Sequence, residues 1–140
     1  MTEPGLSHAE PREPVVGDVL GPLGAAVMRV LWNRGSATVG AVVDALNAER
    51  RRPLAYTTVM TIMSRLFERG LLERDKQGRQ YVYRPVADEP ALLETLSGQA
   101  VDELLARYGT MALRQFAHRL ADSDPDLRAQ ILELAARRSR

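Results

Sequence analysis

The sequence predicts a mainly α chain in which three helices run into one short β-hairpin and a further helical segment follows. Three observations carry this: helical spacing of apolar residues from Leu23 to Leu66, an alternating pair of stretches around Gly78, and renewed helical spacing from Leu92 to Leu134. Residues 1–20 stand apart. They hold Pro4, Pro11, Pro14, Gly5 and Gly17 with scattered charge and no apolar period, and are expected to be a disordered tail.

The first helix is expected from Pro22, which suits a first helical position, to Trp32, with Leu23, Val27, Val30 and Leu31 on one face and Gly35 as the stop. Thr38 is placed to cap a second helix carrying Val39, Val42, Val43 and Leu46 inward; the polar run from Asn47 to Pro53 breaks it. A third helix spans about Ala55 to Arg69, with Val59, Ile62, Met63 and Leu66 inward and Gly70 at its C-terminal end. Its opposite face, Tyr56, Thr57, Met60, Thr61 and Ser64, is uncharged and mostly hydrogen-bonding, an unusual choice for a solvated surface.

Leu71 to Arg74 and Gln80 to Pro85 read as strands around a turn of Asp75 to Arg79, in which Gly78 supplies a positive φ. Three helices followed by a basic hairpin is the order of a winged helix-turn-helix, assigned to residues 21–86. From residue 87 a helical dimerisation domain is expected. Leu92, Leu93, Leu96, Val101, Leu104, Leu105 and Tyr108 mark a long helix containing Gly98. Met111, Leu113, Phe116, Ala117 and Leu120 mark a second, and Leu127, Ile131 and Leu134 a third that opens at Ser123. No other layer remains to cover these apolar faces. A second copy of the chain is the expected cover, through Leu96, Leu104, Leu105, Tyr108, Phe116, Leu127, Ile131 and Leu134; folding back on the first domain is the alternative.

Charge and composition narrow the function. Between Arg50 and Arg84 there are nine Arg or Lys and three acids, a local surplus of six in a chain whose net charge is +1. Concentrated basic charge of this kind points to a polyanion, although a solvated charged face has the same composition. There is no cysteine, so disulfides, thiolate metal sites and cysteine nucleophiles are excluded. Of the two histidines, His8 falls in the expected disordered tail and His118 in a C-terminal helix, so no metal triad can be built from the one ordered histidine without unplaced carboxylates, and no Gly-rich phosphate loop or nucleophile elbow is present. No metal, cofactor or catalytic activity is expected. No run approaches the roughly 18 apolar residues of a membrane span, and the N-terminus lacks a secretory apolar core, so a cytoplasmic address is expected.

A major groove accepts one α-helix and is read by short polar side chains, guanidinium groups and apolar contact with thymine methyls. The third helix meets that requirement with Tyr56, Thr57, Thr58, Met60, Thr61 and Arg65 as candidate contacts, while Thr57 and Thr58 can equally act as local caps. Arg74, Lys76 and Arg79 around the hairpin, and Arg52 before the third helix, suit phosphates. The same hairpin charges can instead protect an edge, and Arg50 to Arg52 can be a solvated loop. Two other functions fit a winged helix: a protein-interaction adaptor, and a repressor gated by a small ligand.

The run Ala55-Tyr56-Thr57-Thr58-Val59-Met60-Thr61-Ile62-Met63-Ser64-Arg65-Leu66, followed by Arg69-Gly70-Leu71-Leu72 and Gly78-Arg79-Gln80-Tyr81-Val82-Tyr83, closely resembles the penicillinase repressor (BlaI/MecI) family. Leu20-Gly21-Pro22-Leu23, Ala26-Val27-Met28 and Val30-Leu31-Trp32 match that family's first helix. The resemblance extends from about Leu20 to the C-terminus. It implies a homodimeric repressor of palindromic double-stranded DNA operators. It also implies inactivation by proteolysis in the dimerisation domain, downstream of a membrane sensor-transducer with a metalloprotease domain. The equivalent bond is Gln115–Phe116, where well-known members carry Asn-Phe. Gly24 stands where an acid is common in the family, Gly40 where a longer polar side chain is common, and the C-terminal cysteines of copper-responsive relatives are absent.

Overall fold

The computed structural model describes residues 14–138; the remainder of the expected tail, including His8, lies outside the described residues. Helix α1 (Val16–Arg34) begins before the expected start, and this corrects the assignment of residues 16–20 to the tail. The helix is broken at Gly21, where φ is 78° and ψ is 173°, so Pro22 does open a helical segment, the second of two. The first segment forms because Val16 is fully buried and its amide donates to Glu89 Oε1 at 3.0 Å, while the Asp18 carboxylate accepts the Val15 amide. The break also accounts for Gly24: a Cβ there would meet the Leu20 Cβ at 3.1 Å, tighter than ordinary packing allows.

After Gly35, at φ 83°, strand β1 (Ala37–Thr38) leads directly into helix α2 (Val39–Asn47). Thr38 caps α2 as expected, its Oγ1 accepting the Ala41 amide at 3.1 Å. Helix α3 (Tyr56–Glu68) buries Val59, Met63 and Leu66, and Gly70 follows at φ 79°. Strands β2 (Leu72–Gln77) and β3 (Gln80–Pro85) form an antiparallel hairpin; β1 joins the other edge of β3, giving the order β1-β3-β2. Asp75, Lys76 and Gln77, expected in the turn, are strand residues opposite Val82, Tyr81 and Gln80. The turn is therefore only Gly78 and Arg79. Gly78 has φ 64° and Arg79 does not have a positive φ, the pattern of a type II′ hairpin.

The chain divides into two compact units, one ending at Leu96 and the other beginning at Ser97. In the first, α1, α2, α3 and the sheet enclose Val27, Met28, Leu31, Val42, Val59, Met63, Leu71 and Tyr83. Burial of this many large apolar side chains is the main stabilising term, each contributing about 1.5–3 kcal/mol. Helix α4 (Glu89–Tyr108) starts in this unit and adds Leu92 and Leu96 to the same core. The winged-helix core therefore extends past residue 86. Trp32 Nε1 donates to the Ala87 carbonyl at 2.9 Å and ties the segment after β3 to α1.

The second unit holds the rest of α4, helix α5 (Thr110–Ala121), entered through Gly109 at φ 58°, and helix α6 (Pro125–Arg138). Helix α6 opens at Pro125, so the residue before it takes the capping position: Asp124 Oδ1 accepts the Asp126 amide at 3.0 Å. Ser123, expected to be the cap, instead donates to the Leu120 carbonyl.

Candidate nucleic-acid interface

The third helix owes its position to the residue that ends the second. Asn47 accepts the Leu54 amide at Oδ1 (2.8 Å) and donates from Nδ2 to the Leu54 carbonyl (3.1 Å), closing the loop that carries Arg50, Arg51 and Arg52. This clamp was not legible from pattern, because Asn47 reads simply as the first residue of a breaking polar run. With Val59, Met63 and Leu66 turned into the core, the 3.6-residue period leaves Tyr56, Thr57, Thr58, Met60, Thr61 and Arg65 exposed on α3. Tyr56 is 52% exposed and Met60 41%, large apolar groups left in water on a helix otherwise amphipathic.

The hairpin register sorts the wing by face. Arg74 and Lys76 share a face with Tyr83 and Tyr81, and Glu73 and Asp75 share the other with Arg84 and Val82. On the latter face Arg84 forms ion pairs with both Glu73 (3.0 Å) and Asp75, and the hydrogen bond and charge of Asp75, followed by the charge of Glu73, raise its pKa above the ordinary value. The wing's two acids are thereby occupied. Lys76 and Arg79 are exposed and have no ion pair among the described residues. A cleft of about 230 Å³ runs between α3 and the wing, lined by Tyr56, Met60, Ser64, Arg74, Arg79 and Tyr81 among others.

Arg74 differs from its expected setting. It lies in the middle of β2, opposite Tyr83, and its guanidinium is stacked on Phe67 and Tyr81 rather than presented at the hairpin tip. Arg52 is exposed in the loop before α3, where its carbonyl accepts from Arg50 Nε at 3.5 Å.

Of the residues expected at a dimer interface, Leu96 is placed elsewhere: it is 4% exposed and belongs to the core of the first unit, because α4 turns that side chain onto the winged helix. Within the second unit Leu104, Tyr108, Phe116, Ile131 and Leu134 are exposed, and Leu105 and Leu127 are half-buried. Leu104, Tyr108, Met111, Ala112, Gln115, Phe116 and Arg119 line an open groove of about 440 Å³. Gln115 and Phe116 lie in the interior of α5, with Arg119 donating to both the Gln115 carbonyl and its Oε1. His118 is exposed on the same helix, and no group of His, Asp and Glu among the described residues is arranged to hold a metal ion. No helix among the described residues is long and apolar enough to cross a membrane.

An uncharged helix face of this composition, set beside a basic hairpin on a three-helix core, marks a winged-helix transcriptional regulator. The family model described as penicillinase repressor matches residues 20–136. The transcriptional regulator BlaI of Mycobacterium tuberculosis is 38% identical over 123 residues, spanning 84% of this chain and 86% of that protein. A penicillinase repressor of Bacillus licheniformis is 32% identical over 71 residues, 51% of this chain and 54% of its own length. Among solved structures, the DNA-binding domain of the repressor BlaI aligns with a TM-score of 0.43 at 31% identity, covering 48% of this chain and 79% of that domain. The chain belongs to the penicillinase repressor family, and is thus a DNA-binding transcriptional repressor rather than an enzyme.

Proposed function

We propose that the chain represses transcription as a homodimer on an inverted-repeat operator, each α3 entering the major groove of one half-site and each wing contacting the adjacent backbone. The observation that carries this reading is the exposure of Tyr56, Thr57, Met60 and Thr61 on one helix face, beside a wing whose Arg79 lines the same cleft as Tyr56 and Met60 and whose Lys76 and Arg79 have no ion pair among the described residues. Short hydroxyl side chains one turn apart suit base edges or phosphates, and exposed Met60 suits a thymine methyl. Thr58 and Arg65 border this face, and Arg52 stands before the helix, placed for phosphates.

Two domains divide the work in this reading, a winged-helix DNA-binding domain and a helical dimerisation domain. Dimerisation is supported by the apolar side chains that the second unit leaves in water: Tyr108 is 54% exposed, Phe116 44% and Leu134 63%, and no described residue of α6 is buried. Exposed apolar side chains of this size fit a self-complementary two-fold interface. The expected site of action is the cytoplasm.

Release from DNA follows the family's mode in this proposal: a membrane sensor-transducer bearing a metalloprotease domain triggers cleavage at Gln115–Phe116. That bond lies within α5, so cutting requires local unwinding of the helix, and it would divide the groove that includes Leu104, Tyr108 and Phe116. Incubation with a cognate activated sensor followed by mass spectrometry tests it; an intact chain overturns it.

DNA binding itself is tested by titrating the purified chain against duplex obtained by in vitro selection, over a range of salt. Affinity should fall steeply and linearly on a log–log plot as salt displaces bound cationic contacts. A flat salt response, or no selected duplex, would favour a protein-interaction adaptor.

A further inference from the structure

We propose that Arg74 is a positioning residue that fixes the angle of the wing against α3, and is not itself a phosphate contact. The inference rests on the reading that α3 and the wing engage one duplex together. The Arg74 guanidinium carbon lies 3.9 Å from the centroid of the Phe67 ring, which belongs to α3, and 4.2 Å from that of Tyr81, which belongs to β3. Arg74 Nη1 also donates to the Tyr83 hydroxyl at 3.4 Å, and the Tyr81 and Tyr83 rings meet edge to face with centroids 6.3 Å apart. One planar cation therefore bridges a ring on the recognition helix and a ring on the hairpin.

The bridge has a mechanical consequence. The turn that joins the strands is two residues long and projects beyond the sheet, so the tip cations Lys76 and Arg79 have no core of their own to hold them. Their placement relative to Thr57 and Thr61 is set lower down the hairpin, where β2 passes Phe67. Stacking on two rings depends on the flat, weakly hydrated guanidinium; a lysine at the same position keeps the charge but cannot lie flat between rings. A phosphate ligand, by contrast, requires charge and donors directed to solvent, and lysine can replace arginine in that role. The two roles therefore separate on a single substitution.

The test uses Arg74→Lys in the full chain, with a labelled duplex obtained by selection on the wild-type protein, and thermal melting to verify folding. Arg74→Lys is expected to weaken binding to that duplex by about tenfold, the equivalent of one lost cation–π bridge. Adding Arg79→Ala to Arg74→Lys should cost less than about twofold, against about fivefold for Arg79→Ala in the wild type, because a wing already released no longer places Arg79. Wild-type affinity and an unchanged salt slope for Arg74→Lys would overturn the proposal, as would full additivity of the two substitutions. A readout without DNA keeps the inference separate from the binding reading. In the free protein, amide order parameters at Gly78 and Arg79 should fall from about 0.85 to below about 0.6 in Arg74→Lys while those of α3 hold. If the wild type selects no duplex, the DNA reading fails, and these order parameters still decide the role of Arg74: unchanged values overturn it.

Discussion

Asn47 and Leu54 exchange two hydrogen bonds, the side-chain amide of one reading both main-chain groups of the other at 2.8 and 3.1 Å. They span the loop between α2 and α3 and so fix where α3 begins. Replacing Asn47 with Ala leaves the Leu54 amide and carbonyl without these partners. The expected cost is about 1–3 kcal/mol in urea denaturation. An unchanged midpoint would show that water substitutes fully for the clamp.

On the proposed DNA face, Thr61→Ala and Arg79→Ala should fail in different ways. Thr61→Ala is expected to lower discrimination at one base position per half-site by about 1–3 kcal/mol, leaving binding to random duplex nearly unchanged. Arg79→Ala should weaken selected and random duplexes together and reduce the salt slope by about 1. Anisotropy titrations against a panel of single-base variants distinguish these outcomes. Equal losses on selected and random DNA for Thr61→Ala would remove that residue from the base-reading set.

Arg84 gives a prediction about charge rather than contact. It occupies Glu73 and Asp75 on the face of the wing opposite Lys76. Arg84→Gln releases two carboxylates on the hairpin, which then repel phosphates. DNA affinity should fall, most strongly at low salt, with little movement of the melting temperature, since exposed ion pairs contribute little to stability. The raised pKa of Arg84 works in the same direction at all ordinary pH. A folded value above the unfolded one stabilises below both and is lost only as pH rises through the folded value, so the pairing is insensitive to pH near neutrality from the arginine side.

Leu96 and Phe116 should separate folding from association. Leu96→Ala opens a cavity in the first unit and is expected to cost about 2–5 kcal/mol, measured by chemical denaturation. Phe116→Glu places a charge on the exposed groove of the second unit and is expected to shift sedimentation toward monomer while the first unit keeps its melting transition. A dimer of unchanged affinity in Phe116→Glu would exclude that groove from the interface.

What was legible in the sequence follows from which interactions are local. Helices α2 and α3 were readable because valine, methionine and leucine recur at helical spacing with few interruptions, and β3 because Tyr81, Val82, Tyr83 and Arg84 alternate. The first segment of α1 is not legible because Val16 is its one fully buried residue and Leu20 is only partly buried against the core, with Gly17 and the Gly21–Pro22 break diluting any period. Strand β1 is two residues long and exists only because β3 lies beside it. The end of β2 reads as turn because Asp75, Lys76 and Gln77 are polar, yet pairing with β3 holds them extended. Arg74 shows the same limit at the site. Its charge was visible, but its stacking depends on Phe67 and Tyr81 being brought together from two elements, for which the sequence offers only the Tyr81–Tyr83 spacing as a hint.

The hydrogen bond from the Val16 amide to Glu89 joins the first helix of the winged-helix unit to the opening turn of α4, where the same unit ends. Such a join makes the two ends of the unit thermodynamically one region, so neither frays on its own. In native-state hydrogen exchange the Val16 amide and the amides of the first turns of α4 should open with a common free energy, and Glu89→Ala should lower protection at both ends together. A fragment trimmed to residues 21–86 would lack Val16, Leu92 and Leu96 and should melt well below one spanning residues 15–96.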